Sequence, residues 1–536
     1  MRIKYIICFL FFLSLSLTEA QGGEEYLCRV IDIENKYPIS YATIQFENVD
    51  NGVIADEEGN FRLPISYNKK GNSIIISSIG YETLKVKVET LDFKIINILY
   101  LKSKVEELSA VLIKASSGGP KLSEQTIIKN AIGKIPTNYP NSPHSYVSYY
   151  RDYQLVNNTY FNLNEAILES FDAGFNTNKL RFYDNRTAIY SYDLNKDFFQ
   201  DTLLLNSIYG KSKLLDTNNA AKLGTDIQNE LGILNIHNPI RNYNVNTFSF
   251  IYVFRDDFVF NHNFKLVKIQ YIEDTPLYEI EFISKPNPNS RYMGAGKIYI
   301  SKGDFAIYKL EYKVFSNNDY VSNRSKDNVF VNMSKDATYR NNATLFEVNL
   351  EYKPIGDKMY LNYMTFNNRF IIKEPNPFKV EEFNFNPNDE SFYITFNKPV
   401  DASTIKRKSN FKLRYNNNKL IIKNIDLVES NMVKVTVIDW SAGISEDPKN
   451  VTLTDFTYKI KKIKDLSGAI INKASKLIGY QFREIFTQEV FKDKQPNDDL
   501  IFVNKTLPMS KTRVNKVNFD IKKYTINSPL KKTKNN

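Results

Sequence analysis

The chain has 536 residues, of which 42% are hydrophobic and 14% are aromatic, and its formal net charge is +11. This hydrophobic content supports packed cores and excludes a disordered chain, and the length suits three or four domains of about 150 residues each. The lysine and arginine residues are scattered and alternate with apolar residues. This pattern indicates solvated strand faces and argues against a nucleic-acid partner.

The first 20 residues have the pattern of an export signal. A basic start precedes an apolar run over residues 5–17, and the small Ala20 offers a cleavage point that would leave Gln21 first. A membrane anchor is the alternative, but the run is shorter than the ~20 residues that a spanning helix needs, and no later segment is apolar enough to span a bilayer as a helix. Cys8 and Cys28 are both misplaced for lipidation. We expect a signal peptide at 1–20 and an exported chain in the periplasm or associated with the outer membrane.

The stretch 53–88 has the most specific local pattern. A turn cluster at 56–60 contains Gly59, which is free to adopt a positive φ. Phe61 and Leu63 then alternate with polar residues, as in a half-buried strand. An apolar run at 74–76 and a further alternating run follow. Together these features predict a small β-sandwich.

This stretch resembles the carboxypeptidase-like regulatory domain, a transthyretin-like β-sandwich. The resemblance covers about residues 25–114 and implies a non-catalytic module at 21–115, with no peptidase activity. Three pieces of the family pattern carry it: Val30, Asp32, Pro38, Ile39, Ala42, Thr43 and Ile44; then Ala55, Asp56, Gly59, Phe61 and Leu63; then Ser77, Gly80, Tyr81 and Thr83. Ala55 departs from the usual threonine.

Residues 116–378 are predicted to form a larger antiparallel, β-rich middle domain of unknown function. A linker at 116–120 precedes an amphipathic helix at 123–135, which Pro136 would stop. In 307–314 the residues alternate, with Tyr308 and Tyr312 on the apolar face. The stretch 172–241 is rich in asparagine, and we expect long loops or a short helix there. The predicted strands are 146–153, 160–167, 248–259, 264–272, 277–283, 296–300, 306–315, 345–352 and 360–372.

Two architectures remain open for this middle domain, because each needs one apolar face per strand. One is an open half-barrel, whose apolar face could hold a lipid. The hairpin at 296–312 resembles one hairpin of the half-barrel lipoprotein carriers. In a closed sandwich the same aromatic residues would pack against a second sheet. The closed core is favoured, since an empty apolar cavity costs stability.

The region 379–470 resembles the bacterial Ig-like domains of surface proteins, which implies a spacer or adhesion sandwich. The residues that carry this resemblance are Phe396, Lys398, Pro399, Val400, Asp401, Phe411, Leu413 and the turn 464–468, with Ala469 in place of the usual asparagine. Trp440 is expected to fill the core. The C-terminal segment 471–536, with strands at 480–490 and 500–504, is a candidate to complete the middle domain, which would make the Ig-like unit an insertion. Its last stretch, 527–536, is predicted to be disordered and basic.

No pattern of catalytic, cofactor-binding or metal-ligating residues stands out. The three histidines, His144, His237 and His262, are isolated from one another, and Cys28 without Cys8 has no disulfide partner and suits a strand core. Glu165 and Glu169 are the least trivial acidic pair. They are the only candidates for an uncharacterised hydrolase.

These features predict a mainly β chain: a transthyretin-like β-sandwich, a β-rich middle domain with few helices, and an Ig-like sandwich. Through the segments 134–140, 148–153 and 480–490, the chain as a whole resembles envelope proteins of Bacteroidota that contain the carboxypeptidase-like regulatory domain. We expect an exported, non-catalytic binding or scaffold protein without cofactors, whose partner is an envelope protein or a glycan. The alternatives are a carrier of a lipid or other hydrophobic ligand, and the hydrolase.

Overall fold

The computed structural model describes residues 25–530 except 48–50, 70, 107–121, 181–184, 206–213, 216–228, 246–253, 286–291, 317–343, 373–376, 439–451, 474–476 and 517–518. The signal peptide, the linker at 116–120 and Trp440 therefore lie outside the described residues.

The N-terminal module is a sandwich of two small sheets, as the sequence predicts. One sheet has the order β4-β1-β7 and the other β3-β2-β5-β6. Buried and half-buried residues alternate along β1, and its buried positions include Cys28, which is a free cysteine. The predicted turn is confirmed, because Gly59 has a φ of 74°. The strands are β1 (Glu25–Asp32), β2 (Thr43–Phe46), β3 (Gly52–Ile54), β4 (Asn60–Pro64), β5 (Ser73–Ser77), β6 (Leu84–Lys87) and β7 (Ile96–Leu101).

In the part of the chain that the structure describes, the middle of the molecule is one large sheet of 12 strands, with the order β11-β10-β9-β26-β18-β17-β16-β15-β14-β13-β8 and β12 paired to β18. Its early strands are β8 (Val105–Glu106), β9 (His144–Val156), β10 (Thr159–Asp172), β11 (Arg186–Leu194), β12 (Leu214–Leu215), β13 (His262–Ile272) and β14 (Thr275–Ser284). Its later strands are β15 (Tyr292–Ser301), β16 (Ile307–Ser316), β17 (Thr344–Ile355), β18 (Lys358–Ile372) and β26 (Leu477–Lys492). Because β26 lies between β9 and β18, the chain leaves this sheet after β18 and returns to its centre.

Helices cover one face of the large sheet. They are α1 (Glu124–Gly133), α2 (Ile135–Asn138), α3 (Thr202–Leu205), α4 (Glu230–Ile236) and α5 (Phe254–Asn261). Ile128 of α1, Ile233 of α4 and Phe258 of α5 share one buried cluster with Leu310 and Tyr312 of β16. This cluster forms the main core. It is a sheet packed against helices and not against a second sheet, so it differs from the closed two-sheet sandwich that the sequence favoured.

The opposite face of the sheet carries the N-terminal module. Tyr41 stacks on Tyr363 of β18, with ring centroids 5.2 Å apart. Asn362 Nδ2 donates to Thr43 Oγ1 at 2.9 Å. The strand β8 then joins the edge of the large sheet beside β13, so the module is attached at two places.

Residues between β18 and β26 form a separate two-sheet unit with its own core, in the region predicted to be Ig-like. Its sheets have the orders β19-β20-β24-β23 and β22-β21-β25. Phe392, Phe411 and Val435 belong to the core that both sheets share. The elements are β19 (Val380–Asn386), β20 (Ser391–Phe396), α6 (Ala402–Ile405), β21 (Phe411–Tyr415), β22 (Asn418–Lys419), β23 (Ile421–Glu429), β24 (Met432–Ile438) and β25 (Phe456–Ile460).

Three predicted elements in the middle domain need correction. The predicted strand 248–259 is wrong in its described part, where Phe254–Asn261 is helix α5. Phe254 and Phe258 point to one buried side, and two aspartates in the first turn suit a helix N-terminus. The stretch 172–241 holds strand β11, which an asparagine-rich composition concealed. The helix predicted at 123–135 ends at Gly133, before Pro136, and Pro136 lies in the first turn of the separate short helix α2, where a missing N–H costs nothing.

Two predictions for the last part of the chain were also wrong. Residues 500–504 form no full strand, but Phe502 makes one antiparallel bridge to Ala188 of β11, and Val503 N donates to Thr187 O at 2.8 Å. Residues 527–530 were predicted to be disordered, but Asn527 is 5% exposed. Its side chain is bound by the N-terminal module, as described next.

Candidate functional site

The predicted acidic pair lies on strand β10, on the sheet face that carries the N-terminal module. Successive strand residues point to opposite faces, so Glu165 and Glu169 share this face. Four residues of strand separate their Cα atoms by about 13 Å. Glycosidase carboxylates, by comparison, lie about 5–9.5 Å apart. The strand itself does not place the two residues side by side, and their carboxylates bind separate sets of donors.

Both oxygens of Glu165 accept hydrogen bonds from the chain itself. Tyr149 Oη and Ser528 Oγ donate to Oε1, the latter at 2.7 Å, and Asn195 Nδ2 donates to Oε2 at 2.8 Å. The side chain is buried. The burial of Glu165 is therefore compensated by three donors, as buried carboxylates require.

Glu169 is held by a different set of donors. Ser145 Oγ donates to Oε1 at 2.5 Å and Tyr190 Oη to Oε2 at 2.9 Å. Lys494 Nζ lies 2.7 Å from Oε1 and supplies a positive charge. Glu165 and Glu169 share none of these partners.

A charged pair that the sequence reading missed lies beside Glu165. Arg151 of β9 and Glu484 of β26 are cross-strand neighbours, and Arg151 Nε donates to Glu484 Oε2. Their side chains are 1% and 0% exposed. Burial by itself would lower the pKa of Arg151, but Glu484 raises that pKa well above its ordinary value. The sequence did contain a signal for this pair, because Arg151 stands among aromatic residues in a predicted strand. A charged residue on the buried face of such a strand needs a buried partner of opposite charge.

Residues 519–530 run through the groove between the N-terminal module and this sheet face. Gln488 of β26 makes two hydrogen bonds with the backbone of Thr525, donating from Nε2 to its O at 2.6 Å and accepting from its N at 2.9 Å. Asn527 Nδ2 donates to Ile54 O at 2.8 Å, and Arg62 N donates to Asn527 Oδ1 at 2.9 Å. We call residues 519–530 the docked segment.

A second polar cluster lies on the helix-covered face, at the end of β10. Asp172 pairs with Arg241 at 2.9 Å through both carboxylate oxygens, and with Lys179 at 3.0 Å. Burial alone would raise the pKa of Asp172, but Lys179 and Arg241 hold it well below its ordinary value. These residues and His144 line a cavity of about 50 Å³. A cavity of that size suits one or a few water molecules.

The three histidines occupy aromatic surroundings in separate places. His144 packs edge-on to Tyr360, and His237 stacks on Phe366. His262 contacts Phe258, and burial lowers its pKa to about 4. Within the described residues, no group of three or more His, Cys, Asp or Glu side chains could hold a metal ion. The same part of the chain contains no helix of the length and apolarity that crossing a bilayer requires.

Comparison with known proteins identifies the first module. Residues 29–113 match the sequence profile of the CarboxypepD_reg-like domain. The chain therefore carries this domain at its N-terminal side, as its motifs indicated. A search of curated proteins found no match.

One solved structure, a LolA superfamily protein from Nitrosomonas europaea, aligns with this chain at 11% sequence identity and a TM-score of 0.20. The alignment covers 46% of this chain and 86% of that one.

Proposed function

We propose that the chain is an exported, non-catalytic binding or scaffold protein of the cell envelope. The observation that carries this proposal is the complete engagement of Glu165 and Glu169 by donors of the chain itself. A general acid or base must reach a substrate proton within hydrogen-bond distance. Both carboxylates are instead bound to tyrosine, serine, asparagine and lysine groups beneath the docked segment.

The CarboxypepD_reg-like domain supports the same proposal, because it suggests a regulatory or binding module. Its attachment through Tyr41 and through β8 fixes it to the large sheet, which suits a scaffold. The Ig-like unit has a separate core and so offers its own surface to a partner.

Purified chain should show no turnover of peptides, esters or glycans. Glu169→Gln should instead lower the unfolding temperature, because it removes the charge that pairs with Lys494. Glu381→Gln, at a solvent-exposed position of β19, serves as the matched control and should leave that temperature unchanged. Turnover that Glu165→Gln or Glu169→Gln abolishes without unfolding the chain would overturn the proposal.

Crosslinking in the native envelope would test the binding role directly. A photo-crosslinking residue placed at Ile421, which is 65% exposed on edge strand β23, should capture a discrete envelope partner. The same residue at Phe260, which is 75% exposed on the middle domain, tests whether capture is specific to the Ig-like unit. Equal capture at both positions would argue against an Ig-like binding surface.

The second candidate function is a carrier of a lipid or other hydrophobic ligand. The observation that favours it is the single sheet whose apolar face is covered by short helices. Such helices can move away from the sheet without breaking the hydrogen bonds between its strands. The described cavity of about 50 Å³ is too small for an acyl chain, so α4 and its neighbours would have to move.

Native mass spectrometry of chain purified from its own envelope decides between the candidates. A co-purifying lipid would favour the carrier, and lipid-free chain that binds no fluorescent lipid would favour the scaffold. Tyr308 and Tyr312 are poor positions for variants that block ligand binding, because both side chains are buried. An aspartate at either position would destabilise the fold, so a loss of lipid would not report on binding. Leu231→Phe, which fills the cavity without adding charge, is the better blocking variant.

A further inference from the structure

The docked segment is held in the manner of a bound peptide. We propose that the groove between the N-terminal module and the large sheet is a peptide-binding site, and that residues 519–530 are its intramolecular ligand. This inference rests on the proposed binding function and names the site and the class of partner.

The backbone of the docked segment is read by side-chain amides. Gln488 supplies one donor and one acceptor to Thr525, as a neighbouring β-strand would. At Asn527 the side-chain amide belongs to the docked segment, and it pairs with the backbone of Ile54 and Arg62 in the N-terminal module. Main-chain pairing of this kind gives affinity for an extended peptide, and pockets for alternate side chains give specificity. Both amide pairs fix the register of the segment.

Side chains on either side of these amides extend the recognition. Ser528 Oγ donates to Glu165, and Tyr524 Oη donates to Glu489 Oε2 at 2.5 Å. Phe519 stacks on Tyr190 with ring centroids 3.6 Å apart. Thr525, Asn527 and Pro529 are buried, whereas the residues between them are half-buried, as expected of an extended ligand lying in a groove.

Several contacts between the walls of the groove do not involve the docked segment, although four of its side chains also pack against the core between the walls: Phe519, Ile521, Tyr524 and Ile526. The Tyr41–Tyr363 stacking and the Asn362–Thr43 hydrogen bond link the N-terminal module to β18. On the other side, Gly80 N donates to Tyr271 O of β13 at 2.8 Å. The groove should therefore keep its shape when the segment leaves, which makes it a preformed site.

The charges of the groove define the peptide that it accepts. Arg62 Nε donates to Ser528 O at 2.7 Å and Arg151 Nη1 to Asn527 O at 3.1 Å, so two guanidinium groups hold main-chain carbonyls. Glu165 and Glu489 face the side chains and would repel acidic residues. Lys523 pairs with Glu489. The site thus fits an extended, basic or neutral peptide with an Asn-Ser core.

The test uses the full chain with a specific protease site inserted after Lys516, folded first and cut afterwards. A fluorescent peptide of residues 517–531 should then exchange into the groove, saturate, and be displaced by the unlabelled peptide. Asn527→Leu in the peptide removes two hydrogen bonds and should weaken binding about tenfold or more. Lys522→Ala alters an exposed side chain and should bind like the native peptide. No exchange into cut chain that keeps its native circular dichroism would overturn the proposal, as would equal binding of the Asn527→Leu peptide.

Cutting could unfold the chain, so a second variant keeps the test decisive. The uncut chain with Asn527→Leu and Ser528→Ala in its own segment should take up the native peptide, whereas the unaltered chain should take up far less. Failure of this uptake in a folded variant would show that the segment is an integral part of the fold. Neither result depends on turnover, so catalytic activity would refute only the proposed function, and a failed exchange would refute only the peptide site.

Discussion

Removing one partner of the buried Arg151–Glu484 pair should destabilise the large sheet strongly. In Arg151→Met, Glu484 would keep a charge at a position that is 0% exposed, and its Oε1 already has no hydrogen-bond partner within the described residues. Breaking such a pair costs about 3–5 kcal/mol, because the remaining charge is buried without compensation. The carbonyl of Asn527 also loses its donor.

The double variant Arg151→Met/Glu484→Leu is the matched control. Apolar residues of similar volume often replace a buried ion pair at little cost, so most of the lost stability should return. Calorimetry gives the overall transition, and hydrogen exchange of peptides from β9 and β26 reports the local loss. A single variant within about 1 kcal/mol of the native chain, or a double variant no more stable than the single one, would refute this account of the pair.

Three further predictions concern backbone geometry and titration. Gly59→Ala should lower the free energy of unfolding by at least ~2 kcal/mol more than Gly71→Ala, because both glycines have positive φ but only at Gly59 would a Cβ meet backbone, 2.5 Å from Val30 O; equal losses by thermal unfolding would contradict this. His262, with a pKa of about 4, must be charged when the chain unfolds in acid, so stability should fall as the pH falls from about 6.5 towards 4. The loss is about 2 kcal/mol by pH 5 and should be absent in His262→Phe, and identical pH profiles would contradict it. Cys28 is fully buried and burial raises its pKa to about 12, so maleimide should label it only as fast as the module opens; rapid labelling of native chain would exclude this core position.

Local patterns were sufficient to predict the modules and many of their elements. The turn at Gly59 depends on the φ preference of one residue, and the alternation along β16 depends on a period of two residues. Each of these signals is contained in a few consecutive residues. Helix α1 was also predicted from a local signal, the spacing of its apolar residues. In the structure Ser123 is its N-cap. Composition misled where aromatic content suggested a strand at 248–259, because the phenylalanines of α5 lie four residues apart and so form one face of a helix.

The candidate site depended on contacts that no local pattern contains. Alternation assigns a residue to a face of a strand but does not say which strand lies beside it, so the position of β26 between β9 and β18 could not be read from the sequence. Arg151 and Glu484 are 333 positions apart, and Asn527 lies 473 positions from Ile54. The sequence by itself determined the sandwich modules, the strand faces and the glycine turn, since these arise from short-range sterics and burial. Only the tertiary structure decided that β9 and β26, which carry Arg151 and Glu484, meet residues 519–530 in one groove. The reason is that long-range strand pairing is selected by the packing of the whole sheet.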